Sequence, residues 1–360
     1  MNTWPDQRIQ KLFGAAHPIL LAPMAGAGGV ELAVGVARGG GLGALPCAML
    51  NADQVRRQVE QFRRATAAPL NLNFFCHTPA QPDAQRQARW KQRLAPYYLE
   101  LGIDSAATAP APHRAPFDAA WCSVVEALKP PVVSFHFGLP DAALLTRVKA
   151  SGARVISSAT TVEEAVWLER GGCDAIIAMG AEAGGHRGMF LSTDLASQVG
   201  TFALVPQVVD AVSVPVIAAG GIADARGITA AFALGASAVQ IGTAYLLTPE
   251  ALTSAAHRAA LRRSSGSDTA ITHLFTGHPA RGIVNRLMRE VGAMSDWPPA
   301  FPTAGAALAP LRAHDESAGT SDFTNLWAGQ AARLALDLPA EELTRRLTAE
   351  VLARIGRSRT

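Results

Sequence analysis

The sequence predicts an α/β fold, a TIM (β/α)8 barrel of eight strand and helix units, on three observations. Eight short apolar, β-branched runs recur along the chain, helical segments separate them, and 360 residues, 49% of them hydrophobic, exceed the roughly 250 that such a barrel needs. The runs are 19–22, 41–45, 70–75, 132–137, 154–158, 175–179, 216–219 and 239–241. Unbroken apolar runs suit parallel strands buried on both faces, whereas alternating ones suit half-exposed sheets.

Crossover helices are predicted over 52–65, 141–150, 161–170 and 224–234, the pattern of βα repeats. Asp141, Thr161 and Asp224 are N-cap residue types, and Glu164 follows Thr161 at capping-box spacing. An open doubly wound sheet would also alternate strand and helix; the count of eight favours closure.

Two segments depart from even spacing. Residues 76–130 form a long insertion rich in Pro, Ala and Gln, which reads as a lid. Residues 251–324 read as a small α+β cap inserted after the eighth strand, leaving 1–250 and 325–360 as the barrel. No charged residue occurs from Gly227 to Pro249, long enough for a membrane span. Gly235, Ser237, Gln240, Gly242 and Thr243 punctuate it, so it reads as a buried helix and strand, with no membrane partner.

The net charge of +3 comes from scattered Lys and Arg. Nucleic acid is therefore not an expected partner. Cys47, Cys76, Cys122 and Cys173 form no Cys-x-x-Cys pair, which argues against zinc and for a reducing, cytoplasmic setting. The N-terminus has no apolar signal region. The chain is expected to act on a small molecule, as a monomer or homodimer.

In a barrel of this kind the active site lies at the C-terminal strand ends. Those ends carry Ala22-Pro23-Met24, Asn73, His136, Ser158, Met179, Gly184-Gly185-His186, Gly220-Gly221 and Gln240-Ile241-Gly242-Thr243. Gly220-Gly221 and Gly242-Thr243 follow the seventh and eighth runs, where backbone N–H groups cradle a phosphate. His186 and His136 are the candidate catalytic groups, titrating near neutrality in one pocket. His186 alone also reads as a solvated turn residue, and a metal site built on the pair lacks carboxylates at ligand spacing apart from Glu182.

Ala22-Pro23-Met24-Ala25-Gly26, Asn71-Leu72-Asn73-Phe74-Phe75, Ser134-Phe135-His136-Phe137-Gly138, Glu182-Ala183-Gly184-Gly185-His186-Arg187-Gly188, Ala219-Gly220-Gly221-Ile222 and Gln240-Ile241-Gly242-Thr243 together resemble the class I nitronate monooxygenases, also called 2-nitropropane dioxygenases. The resemblance implies noncovalent FMN, with Asn73, Gly184, Gly220 and Gln240 to Thr243 among its contacts and Met24 beside the isoalloxazine. It implies His186 as the catalytic imidazole, with His136 and Arg187 as helpers. The implied reaction passes one electron from an alkyl nitronate, such as propionate 3-nitronate, to the flavin, and O2 completes oxidation to a carbonyl compound and nitrite. Met179 departs from the family pattern, which carries Gln there as a flavin contact. The alternative within the same fold is an FMN-dependent, NAD(P)H-using reductase of the enoyl-acyl-carrier-protein or quinone type.

Overall fold

The computed structural model describes residues 3–81, 83–104 and 114–357. Its strands are β1 (Ile19–Leu21), β2 (Gly43–Pro46), β3 (Leu70–Phe75), β4 (Val132–His136), β5 (Arg154–Ala159), β6 (Ala175–Met179), β7 (Gly185–His186), β8 (Val216–Ala219), β9 (Ala238–Ile241), β10 (Thr269–Thr272) and β11 (Ala280–Ile283). Its helices are α1 (Arg8–Phe13), α2 (Val30–Arg38), α3 (Ala52–Ala65), α4 (Ala84–Glu100), α5 (Ala119–Leu128), α6 (Ala142–Ala150), α7 (Val162–Arg170), α8 (Thr201–Ala211), α9 (Ala225–Ala233), α10 (Ala255–Arg263), α11 (Arg286–Val291), α12 (Ala309–Ala318) and α13 (Ala340–Arg357).

Eight strands lie in one parallel sheet in the order β1-β9-β8-β6-β5-β4-β3-β2. A parallel bridge between Leu20 and Leu42 joins the two ends, with Leu42 N–H donating to Ile19 O at 2.9 Å and Leu21 N–H to Leu42 O at 3.0 Å. The sheet is thus a closed TIM barrel, and closure leaves no edge to cap. The second strand starts at Gly43, two residues later than its apolar run.

Side chains alternate across each strand. At the start of the strands, Val132, Ala175 and Ala238 face inward and pack with Ile9 and Phe13 of α1, which closes that end of the barrel. The predicted N-caps form: Asp141 accepts from Leu144 N–H, Thr161 from Glu164 N–H and Asp224 from Arg226 and Gly227 N–H. Glu164 itself does not close a capping box on Thr161. It is buried, takes the N–H and hydroxyl of Thr160 on Oε2, and takes the N–H groups of Phe190 and Leu191 on Oε1. That carboxylate ties the loop after His186 to the barrel.

The uncharged stretch from Gly227 divides into α9 and β9, and no described helix is long and apolar enough to cross a membrane. A second sheet, β10-β11-β7, is antiparallel and stands over the C-terminal strand ends. The segment read as a lid holds two helices. Helix α5 packs on α3 and α6 as a barrel helix. Helix α4 buries Trp90, Leu94, Tyr97 and Tyr98 against Leu274, Phe275, Leu287, Leu308 and Phe323. Trp90 Nε1 donates to Ala304 O at 3.1 Å and Tyr98 Oη to Ala307 O at 2.6 Å, so α4 shares the core of the 251–324 segment. The Pro-rich stretch 105–113 lies outside the described residues.

Candidate active site

Along several strands the inward positions change from apolar to polar toward the C-terminal end: Val132, Ser134, His136; Ile156, Ser158; Ala238, Gln240. These open into a cavity of about 500 Å³, within the range of small-molecule and cofactor sites. Ala22, Pro23, Met24, Asn73, Ser158, Met179 and Gln240 line it, with Gly184, Gly185, Gly220, Gly221, Gly242 and Thr243. His136 and His186 line it as well. Ile241 does not: its side chain is 1% exposed and packs outward into the barrel–helix core, as strand alternation requires of a neighbour of Gln240.

The glycines after β8 and β9 have local reasons. Gly220 and Gly221 adopt φ of +111° and +68°, which side chains with a Cβ rarely accept. A Cβ on Gly242 would lie 3.3 Å from Ala22 Cβ and 3.5 Å from Met24 Sδ. None of the backbone hydrogen bonds among the described residues uses the N–H of Gly221, Gly242 or Thr243, while the Thr243 hydroxyl accepts from Gly329 N–H at 2.9 Å.

His186 comes from β7, not from the end of a barrel strand. Gly185 and His186 pair with Arg281 and Ala280 of β11, so the second sheet carries the imidazole over the barrel mouth. A Cβ on Gly184 would lie 2.5 Å from Gly329 N and 2.6 Å from Ala328 C, so the loop needs glycine to pass that strap. The ring packs among Phe75, Phe137, Phe301, His278 and Trp327, with centroids 5.4–6.2 Å away.

His186 Nε2 lies 3.0 Å from Thr276 Oγ1, which in turn donates to His278 O at 3.4 Å. Thr276 therefore accepts from Nε2–H, and Nδ1 keeps its lone pair, with no hydrogen bond among the described residues. Burial, reinforced by Arg114 and by His278, His136 and His77, holds the His186 pKa well below its usual value. The imidazole is neutral at pH 7.

His136 differs. Its Nε2 is 3.2 Å from His186 O, which can only accept, so Nε2 carries the proton and Nδ1 accepts from Ser158 Oγ at 2.6 Å. Both nitrogens are engaged, and burial pushes its pKa to about 3. Arg187 is fully buried and turned away from the cavity, donating to Met179 O, Gly180 O and Gln198 Oε1 at 2.8–2.9 Å. It clamps the end of β6, which removes it as a helper that touches substrate.

Sequence reasoning missed Thr276 and His278, and also Arg114 and Arg312, which line the same cavity. These residues come from the segments outside the βα repeat, where no periodic signal says which side chains turn inward.

The nitronate monooxygenase family model matches residues 6–350, nearly all of the chain just described. The chain belongs to the nitronate monooxygenase family. Within the family, a nitronate monooxygenase from Pseudomonas aeruginosa is 40% identical over 96% of this chain and 99% of its own. Another from Paraburkholderia phytofirmans is 41% identical over 94% and 93%. Among solved structures, a nitroalkane oxidase from Streptomyces ansochromogenes superposes with a TM-score of 0.87 at 36% identity, covering 98% of this chain and all of that one. FabK from Thermotoga maritima follows at 0.73 and 29% identity, over 99% of both chains. This member of the nitronate monooxygenase family is an oxidoreductase with a TIM barrel.

Proposed function

We propose that this family member binds FMN in the cavity and oxidises alkyl nitronates with O2 to a carbonyl compound and nitrite. The observation that carries the reading is His186, a neutral imidazole whose Nδ1 has no hydrogen-bond partner among the described residues, held over a polar barrel mouth by Thr276 and aromatic rings.

The cavity suits the cofactor. Gln240, on the cavity wall, has its Oε1 buried without a hydrogen-bond partner among the described residues, a cost that a ligand N–H would relieve. The N–H groups of Gly221, Gly242 and Thr243 would hold the phosphate. Asn73, Gln240 and Gly184 would meet the ring system and ribityl chain, with Met24 beside the ring. Asn73 Nδ2 already donates to Ser134 Oγ at 2.9 Å, which leaves its carbonyl for a ligand donor. When bound, FMN supplies the electron acceptor that the side chains lack.

The residues supply the rest. His186 Nδ1 can take the Cα proton of a neutral nitroalkane, because the ring is already neutral. For a preformed nitronate, the anion's charge opposes the burial that depresses His186, so imidazole and anion take up a proton together. His136 acts through His186: its Nε2–H on the His186 carbonyl and its anchor on Ser158 fix the β7 backbone. This makes it a positioning residue. Phe75, Phe137, Phe301 and Trp327 keep water from the reacting carbon.

The likeness to FabK sets the competing arm of the test. Purified protein should be yellow, and denaturation should release FMN. Under anaerobic conditions propionate 3-nitronate should bleach the flavin, and in air the same nitronate should consume O2 and yield nitrite. Bleaching by NADH or NADPH but not by the nitronate would replace this reading with a nicotinamide-using reductase.

A further inference from the structure

Thr160, Glu164, Arg187 and Gln198 stand behind the cavity wall and do not line the cavity, yet they close a hydrogen-bonded circuit onto the chain that leaves His186. Glu164 is 1% exposed and Arg187 and Thr160 are 0% exposed, so both charges depend on protein groups for solvation. Arg187 Nε–H donates to Gln198 Oε1 at 2.8 Å, Gln198 Nε2–H to Thr160 Oγ1 at 3.0 Å, and the Thr160 hydroxyl to Glu164 Oε2 at 2.7 Å. Glu164 Oε1 then accepts from Phe190 N–H at 2.7 Å and from Leu191 N–H at 3.2 Å. The backbone from Phe190 back to Arg187 completes the ring. A guanidinium only donates and a carboxylate only accepts, which fixes the direction of every link. The Gln198 amide must turn its oxygen to Arg187 and its nitrogen to Thr160, and the aligned dipoles strengthen one another in a buried setting.

From that circuit we infer that Thr160 and Gln198 are positioning residues for His186, which set the curvature of residues 187–191 and so the place of the imidazole over the barrel mouth. The inference rests on the proposed nitronate oxidation for the reaction that the imidazole serves, and not for the positioning itself. The other contacts of the segment agree with it. Arg187 donates from its side chain to Met179 O and Gly180 O at the end of β6, and from its N–H to Pro279 O at 2.8 Å, while its own carbonyl accepts from His278 Nε2–H at 3.0 Å. A Cβ on Gly188 would lie 3.0 Å from both His136 Cε1 and Ser158 Oγ. The curve enclosed by the circuit therefore presses on the histidine whose Nε2–H holds the His186 carbonyl. Direction matters as much as connection. A side chain at position 198 that accepts at both ends would draw the Thr160 hydroxyl away from Glu164 and open the ring.

The test uses four near-isosteric variants of the full chain. Gln198→Met removes donor and acceptor together, Gln198→Glu keeps the acceptor for Arg187 and loses the donor to Thr160, Thr160→Val removes the hydroxyl, and Thr160→Ser restores it. The first three should lower kcat for nitrite formation from propionate 3-nitronate by about tenfold or more, toward the roughly 10²-fold that a misplacement of about 1 Å costs. KM should stay within about threefold, because no side chain that touches substrate has changed. Thr160→Ser should recover most of the loss. Amide hydrogen exchange, which needs neither turnover nor substrate, should rise about tenfold in peptides covering 186–191 and stay unchanged in those covering β4 and β5. If wild type oxidises no nitronate, the proposed reaction falls, and exchange in 186–191 still decides the circuit. Wild-type kcat in Gln198→Glu would overturn the inference, since it would show that Arg187 needs only an acceptor. So would a Thr160→Ser variant as impaired as Thr160→Val. Exchange rising equally in 186–191 and in the barrel strands would also overturn it, by assigning these residues to general stability.

Discussion

Replacing Gly184 by Ala tests how the loop before β7 aims the imidazole. The added Cβ would stand 2.5 Å from Gly329 N and 2.6 Å from Ala328 C, backbone atoms on a strap that Gln330 N–H ties to Glu182 O at 3.0 Å. Ordinary contact begins near 3.4 Å, so one side must move by about 0.9 Å, and neither is the free end of a flexible side chain. Overpacking of this kind costs about 1–3 kcal/mol. At about 2.1 cal/mol/K per residue of unfolding entropy, 2 kcal/mol corresponds to a fall in Tm of about 3 °C for this chain. The larger effect is on turnover. His186 lies two residues on, and a displacement of about 1 Å in a reacting group costs about 10²-fold in rate. Steady-state nitrite formation and a thermal melt report the two quantities separately. Gly185→Ala is the control, since its Cβ would meet nothing within 4 Å although its φ is +73°. Turnover of Gly184→Ala within twofold of wild type, with an unchanged melt, would refute the claim that the glycine passage positions the histidine.

Three further outcomes follow from the same geometry. His186→Ala should keep the flavin colour yet lose about 10²–10⁴-fold in kcat/KM with a neutral nitroalkane, and its loss with preformed nitronate should be smaller; equal losses would argue against a base. Acid should destabilise the protein: His77, His257 and His278 are held near a pKa of about 4 and His136 near about 3, below the ordinary 6.5. The folded values are depressed, so between about pH 6.5 and 4 the unfolded chain takes up protons that the native state refuses. Stability then falls by up to about 1.4 kcal/mol per pH unit for each histidine, which urea unfolding across that window would measure; a flat profile would contradict the buried neutral rings. Trp90→Ala should cost about 3–5 kcal/mol, because the ring is 1% exposed and helps close the core shared by α4 and the 251–324 segment. A loss under 1 kcal/mol in denaturant would show that α4 is only a loosely laid cover.

The barrel was legible because its strands and crossover helices obey local rules. Runs such as Ile176-Ile177-Ala178 are apolar on both faces, and Asp141, Thr161 and Asp224 mark helix starts by chemistry that acts within three residues. Helix α4 was read as lid on its composition. Yet Trp90, Leu94, Tyr97 and Tyr98 recur at helical spacing, a period that Pro96 and the surrounding Gln and Arg residues obscured.

The sequence by itself determined the barrel, its family and the strand ends on which Asn73, Ser158, Gln240, Gly220-Gly221 and Gly242-Thr243 stand, since period-two alternation and turn chemistry are local properties. It could not determine what happens between segments far apart in the chain. Pairing of Gly185 and His186 with Arg281 and Ala280 moves the imidazole onto a second sheet. Closure around the cavity engages both nitrogens of His136, turns Arg187 into a buried clamp, and brings Arg114 and Arg312 to one cavity wall. Each of those outcomes depends on burial and on contacts across 50 or more residues, or on which face of the wall a side chain meets, and only the folded chain decides them.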